Sequence, residues 1–117
     1  LQSALVADYT VNTNRDSYIS YAEAQAATTL NLSNKSISDI SDLNSSFTNI
    51  TSLNVTSNNL TSVPLYNCHK ITTLDCSYNK ITSLTQIRYM TSLSSLRCND
   101  NYITTLDATT MVNPTSY

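Results

Sequence analysis

The chain has 117 residues, a net charge of −2 and only 12% charged side chains. That suits one domain, offers no basic run for nucleic acid, and contains no apolar stretch near the ~20 residues a membrane span needs. Its 18 serines, 18 threonines and 14 asparagines give an uncharged hydrogen-bonding surface, which suits a secreted or cell-surface setting, and Leu1 in place of Met reads as a mature or trimmed chain. In chain order the first elements expected are a short helix over residues 2–8 and a second over 21–26. Together they form a small N-terminal helical cap, residues 1–26, that covers the first edge of whatever sheet follows.

The segment joining the two helices, residues 12–23, has the ligand spacing of an EF-hand calcium loop. Asn12, Asn14 and Asp16 fall at positions 1, 3 and 5. The carbonyl of Tyr18 falls at 7, Ser20 at 9 and Glu23 at 12. Ser17 replaces the usual Gly at position 6, and Asn12 replaces Asp. With only Asp16 and Glu23 charged, bound Ca²⁺ would be weakly held. The alternative is an ion-free loop of the same shape that simply joins the helices.

From residue 27 onward one pattern recurs in register. Ile50-x-x-Leu53-x-Val55-x-x-Asn58-x-Leu60-x-x-Val63 is followed by Ile71-x-x-Leu74-x-Cys76-x-x-Asn79-x-Ile81-x-x-Leu84. Then comes Leu93-x-x-Leu96-x-Cys98-x-x-Asn101-x-Ile103-x-x-Leu106. A weaker unit, Ala27-x-x-Leu30-x-Leu32-x-x-Lys35-x-Ile37-x-x-Ile40, precedes them with Lys35 where Asn belongs. This is the leucine-rich-repeat signature, so residues 27–117 are expected to be a solenoid of about four units. Each unit supplies a short strand such as Ser52 to Thr56. One side chain in two faces inward, and no unit can bury its apolar side without a neighbour. The fold class expected is therefore an α/β solenoid, with a short parallel sheet behind the helical cap. Leu43, Phe47, Leu65, Ile87 and Met90 are expected to face inward from outer segments too short for full helices.

The Asn58, Asn79 and Asn101 column is read as structural, because an amide can satisfy both donors and acceptors of a buried turn. Glycine is absent, so Asn34, Asn58, Asn59, Asn67, Asn99 and Asn113 are the residues expected at positive φ. Cys76 and Cys98 share one inward column and read as buried apolar fillers. Cys68 beside His69 is short of the four ligands of a zinc site.

The arrangement resembles bacterial secreted leucine-rich-repeat proteins of the Bacteroidetes-like and internalin-like kind. In those, a "DTNGDGxIxxxEA" stretch precedes repeats of the form "LTSLDCSxNxLTSL". Residues 12–24 here read "NTNRDSYISYAEA" and residues 71–84 read "ITTLDCSYNKITSL". The resemblance implies adhesion or binding at a cell surface, and it carries the calcium expectation over to residues 12–23.

A protein or glycan ligand would meet the outward strand positions: Thr29, Asn31, Ser33; Ser52, Asn54, Thr56; Thr73, Asp75, Ser77; and Ser95, Arg97, Asn99. The binding residues expected are Asn54, Asp75, Tyr78, Arg97 and Asn99. Asp75 and Arg97, lateral neighbours, are expected to pair for about 0–1 kcal/mol. The edge near Leu96 is open to self-association. The competing reading is a structural spacer within a longer surface protein, with no ligand of its own. Catalysis finds no support. His69 has only Cys68 as a neighbouring nucleophile, and a phosphate-cradling loop needs glycines.

Overall fold

The computed structural model describes residues 1–104 of the chain. Helix α1 (Gln2–Ala7) and helix α2 (Tyr21–Ala26) form the cap. Four strands follow: β1 (Thr29–Asn31), β2 (Ser52–Asn54), β3 (Thr73–Asp75) and β4 (Ser95–Arg97). One α-helical turn, α3 (Leu43–Ser46), and one 3₁₀ helix (Thr85–Tyr89) lie on the outer side. The strands are three residues long where the repeat suggested five, although backbone bonds between coils continue beyond them, as from Val55 N to Asp75 O and Ser57 N to Ser77 O.

All three strand pairings are parallel, in the order β1-β2-β3-β4. Leu30 pairs with Leu53, Leu53 with Leu74, and Leu74 with Leu96. The repeat spacing thus becomes a physical column, and each of these leucines is buried. Leu32, Val55 and Cys76 make the second column and Ile37, Leu60 and Ile81 the third, all buried, with Cys98 and Ile103 partly covered at the far end. Burying a Leu or Ile of this size contributes roughly 1.5–3 kcal/mol. Leu43, Phe47, Leu65, Ile87 and Met90 close the core from the outer side as expected. Leu106, Asn113 and the tail from residue 107 lie outside the described residues.

The cap shares this core. Leu5, Val11 and Ala24 belong to the same buried cluster as Leu30 and Leu43. Ser20 caps α2 by accepting from Glu23 N at 3.2 Å, while Glu23 Oε2 accepts from Ser20 N at 2.9 Å. This reciprocal capping box satisfies two donors that a helix start leaves open. Gln25 then ties α2 to the outer side of the next unit. Its carbonyl accepts from Asn49 Nδ2 at 2.9 Å, and its amide nitrogen reaches Thr48 Oγ1 at 3.1 Å.

The asparagine column forms a ladder that reaches backward along the stack. Asn58 Oδ1 accepts from Lys35 N and Ile37 N, both at 3.0 Å, and its Nδ2 donates to Leu32 O and Val55 O at 2.9 Å. Asn79 takes Leu60 N and Asn101 takes Ile81 N in the same manner, each at 3.0 Å. Every amide completes the turn of the unit before its own.

Positive φ falls elsewhere than on most of the asparagines named above. Of those, only Asn34 is left-handed (φ 56°); Asn58, Asn59, Asn67 and Asn99 are not. The left-handed residues are Arg15, Asn34, Ser36, Ser57, Tyr78 and Asp100, with φ between 55° and 59°. Four of these occupy one repeat position, the residue before the ladder asparagine or, in the first unit, before Lys35: Asn34, Ser57, Tyr78 and Asp100. Their neighbours fix them there. Asn34 N donates to Thr56 O, Ser57 N to Ser77 O, and Tyr78 N to Asn99 O, at 3.0–3.1 Å. The turn dictates the conformation whatever side chain is present, and without glycine each left-handed residue adds roughly 1–2 kcal/mol of strain.

Candidate functional site

The open side of the sheet is built from the outward residues of four three-residue strands. Thr29, Asn31, Thr73 and Arg97 are exposed there, and Ser52, Asn54, Asp75 and Ser95 are half-buried. A shallow groove of about 340 Å³ runs over β2 to β4, lined by Ser52, Asn54, Thr73, Asp75, Ser95 and Arg97 above a floor of Leu53 and Leu74. Strand register sets these residues side by side, with Asn54 opposite Asp75 and Asp75 opposite Arg97.

Three of the five expected binding residues already make local bonds. Asn54 Oδ1 accepts from Thr56 N at 3.0 Å and from Thr56 Oγ1 at 2.8 Å. Asp75 Oδ1 accepts from Ser77 N at 3.1 Å. With Asn31, whose Oδ1 accepts from Ser33 N, these side chains form a column that bends the chain out of each strand. Asp75 and Arg97 form no ion pair among the described residues, contrary to the expected pairing. A bond two residues along restrains one short side chain, whereas an exposed ion pair would have to immobilise the long Arg97 as well. The Arg97 guanidinium is left available.

Asn99 is held from both sides. Ser77 Oγ donates to Asn99 Oδ1 at 2.6 Å, and Asn99 Nδ2 donates to Asp100 Oδ2 at 2.7 Å. Ser77 is therefore buried and not outward as its strand position suggested. Tyr78 is 57% exposed at the strand exit and lies beside Asp100 through its backbone bond to Asn99. The groove and the exit together offer one cation, two carboxylates, amides and one open phenol ring. That set suits non-covalent recognition.

The 12–23 loop is built differently. Glu23 Oε1 accepts from Asn14 N at 3.2 Å and Thr13 Oγ1 at 3.3 Å, and Oε2 accepts from Ser20 N and Ser20 Oγ at 2.9 Å. The Ser20 backbone bond leads these donors in lowering the Glu23 carboxyl to about 2. Asn14 Oδ1 and Asp16 Oδ1 accept from Asp16 N and Tyr18 N. Asn12 is buried and donates to Val6 O and Asp16 O, while its Oδ1 has no partner. An ion would use Asn12 Oδ1 without rearrangement, but Glu23 would first have to release four protein donors. As folded, the Glu23 carboxylate is committed to those four donors. The competing signal, Ser20-x-x-Glu23, is present in the same sequence as a capping box.

Burial raises all three thiols above their ordinary range. Burial pushes Cys68 up to about 11, and burial with Cys98 nearby pushes Cys76 up to about 12. All three cysteines are free.

The fold is a leucine-rich repeat, and residues 69–108 match the family described as leucine-rich repeats in two copies. It is similar to solved internalin structures. The functional domain of InlJ from Listeria monocytogenes, described as including a cysteine ladder, is 35% identical with a TM-score of 0.73 over 84% of this chain and 21% of that one. An internalin (InlF) from Listeria monocytogenes is 25% identical with a TM-score of 0.79, covering 90% of this chain and 32% of that one. Internalin C2 from the same organism is 26% identical with a TM-score of 0.71, covering 82% and 43% respectively. The chain thus spans between about a fifth and two-fifths of the length of these proteins. No curated protein sequence matches it.

Proposed function

We propose that this chain is a non-catalytic recognition module that binds a protein partner through the open side of its sheet, at a bacterial cell surface. The observation that carries the reading is the continuous polar groove across β2, β3 and β4, with Arg97 unpaired beside Asp75. The internalin likeness supports an adhesive role and a surface or secreted setting. Four strands span only ~15 Å. The exposed Tyr78 at the strand exit extends that contact with a ring and a hydroxyl, the combination favoured at recognition sites.

Immobilised chain exposed to extracellular host proteins tests the reading. Binding that survives in the parent and is lost in both Asp75→Ala and Arg97→Ala is the expected result. Binding unaffected by either substitution refutes the sheet-face reading. Absence of any bound protein supports the spacer alternative.

A further inference from the structure

The outer side of the second and third units carries a cluster that the sheet face does not use. Tyr66 and Tyr89 meet edge to face, with ring centroids 5.5 Å apart and planes at 70°. Their exposures are 43% and 39%, so each ring keeps a large open surface. Neighbouring side chains fix both phenols. Gln86 Nε2 donates to the Tyr66 hydroxyl and Arg88 Nη2 to the Tyr89 hydroxyl, each at 3.0 Å. The Arg88 guanidinium carbon lies 5.0 Å from the Tyr89 ring centre. His69 Nδ1 is 2.9 Å from Tyr89 O. A carbonyl only accepts, so Nδ1 carries the proton in that bond.

Two features define what such a surface takes. The first is charge. Residues 64–70 and 85–92 contain Lys70 and Arg88 and no Asp or Glu, in a chain whose net charge is −2. The second is hydrogen-bond polarity. Both phenol oxygens already accept, so each still has its O–H to donate, and Arg88 has further N–H donors. A rigid aromatic notch surrounded by donors and positive charge complements a ligand with apolar ring faces and anionic acceptor groups. A sugar chain has both. An acidic protein segment would lack the ring faces, and a standard protein interface takes roughly 800 Å² from each partner, more than two rings and three side chains present.

We propose that Tyr66, Tyr89, Arg88 and His69 form a second binding site on the outer side of the solenoid, for an acidic saccharide bearing sulfate, carboxylate or phosphate groups. The aromatic faces stack on the sugar rings, and Arg88 with the phenol donors holds the anionic substituent.

The chain has eight tyrosines, so emission does not isolate this pair and calorimetric titration reads the binding. The probes are a heparin-derived hexasaccharide, the same hexasaccharide after desulfation, inorganic sulfate alone and a glutamate-rich peptide. The expected result is saturable binding of the sulfated hexasaccharide alone, weakened about tenfold or more in Arg88→Gln through loss of a charge-assisted bond. Tyr66→Ala weakens it as well, and Arg97→Ala on the sheet face leaves it unchanged. Arg88 is exposed, so the Arg88→Gln variant folds even if Tyr66→Ala does not. Equal binding of the desulfated sugar, of sulfate alone or of the acidic peptide overturns the proposal. So does undiminished binding by Arg88→Gln, or equal loss in Arg97→Ala. Apart from the Arg97→Ala arm, these outcomes leave the sheet-face reading untouched, because its variants lie on the opposite side of the sheet.

Discussion

Replacing the ladder asparagines one at a time with alanine separates two ways of accounting for their contribution. Asn58 makes five hydrogen bonds, and Asn79 and Asn101 make four each. If bonds lost set the penalty, the three substitutions should be nearly equal. Buried groups left without any partner give a different order. Asn58→Ala strands Ile37 N and Leu32 O, whose only bonds are to that amide, while Val55 O keeps Asn79 and Thr56 O keeps Asn34 N. Asn79→Ala strands only Leu60 N, because Val55 O, Cys76 O and Ser77 O each keep a second donor. Asn101 is half-buried, and water replaces much of what its removal opens. At about 2 kcal/mol for each buried group left unpaired, the expected losses are about 4 kcal/mol for Asn58→Ala, about 2 for Asn79→Ala and about 1 or less for Asn101→Ala. The first approaches the whole stability of a small domain, about 5–15 kcal/mol. Guanidinium denaturation followed by circular dichroism, at constant slope, measures all three. Equal midpoints for Asn58→Ala and Asn79→Ala would refute the reasoning.

Three further outcomes are expected. Ser57→Gly relieves a left-handed non-glycine residue with an exposed side chain and raises the melting temperature, by up to about 1 kcal/mol of stability, whereas Ser57→Val lowers it. Glu23 has a folded pKa of about 2 against an ordinary 4.5, so its carboxylate stabilises the fold fully above pH 4.5, and that contribution fades as pH falls toward 2. Urea midpoints measured across that window should drop in the parent chain and drop less in Glu23→Gln, which starts lower at neutral pH. Calcium at millimolar concentration should leave the parent's melting temperature unchanged. A calcium-dependent rise that vanishes in Glu23→Gln would show that Glu23 exchanges its four protein donors for the ion.

The stack was legible because spacing alone carries it. Leu53, Leu74 and Leu96 lie 21 and 22 residues apart, and a parallel ladder turns that spacing into lateral contact. The Asn58 column was legible for a chemical reason, since only an amide serves donors and acceptors together. The left-handed column was not. Asn34, Ser57, Tyr78 and Asp100 share no side-chain chemistry, and the usual marker, glycine, is missing. The pairing of Asp75 with Arg97 was misjudged because adjacency says nothing about competition. The Ser77 N–H holds one carboxylate oxygen of Asp75, and holding the long Arg97 against the other would cost side-chain entropy. In the cap, one glutamate fits two motifs by spacing, and the geometry favours the capping box. The Tyr66–Tyr89 pair joins residues 23 apart from outer segments whose regular pattern is weak, so nothing in the chain order announces it.

The backward reach of the amides gives the solenoid a sense of direction. Ile37 depends on Asn58, Leu60 on Asn79 and Ile81 on Asn101, so each ladder amide serves the coil before its own. Loss of a ladder amide therefore undresses the coil behind it, while the bonds its own coil makes backward through the backbone, such as Asn59 N to Ile37 O and Lys80 N to Leu60 O, stay in place. Two neighbours that look interchangeable in shape are unequal creditors of each other's stability.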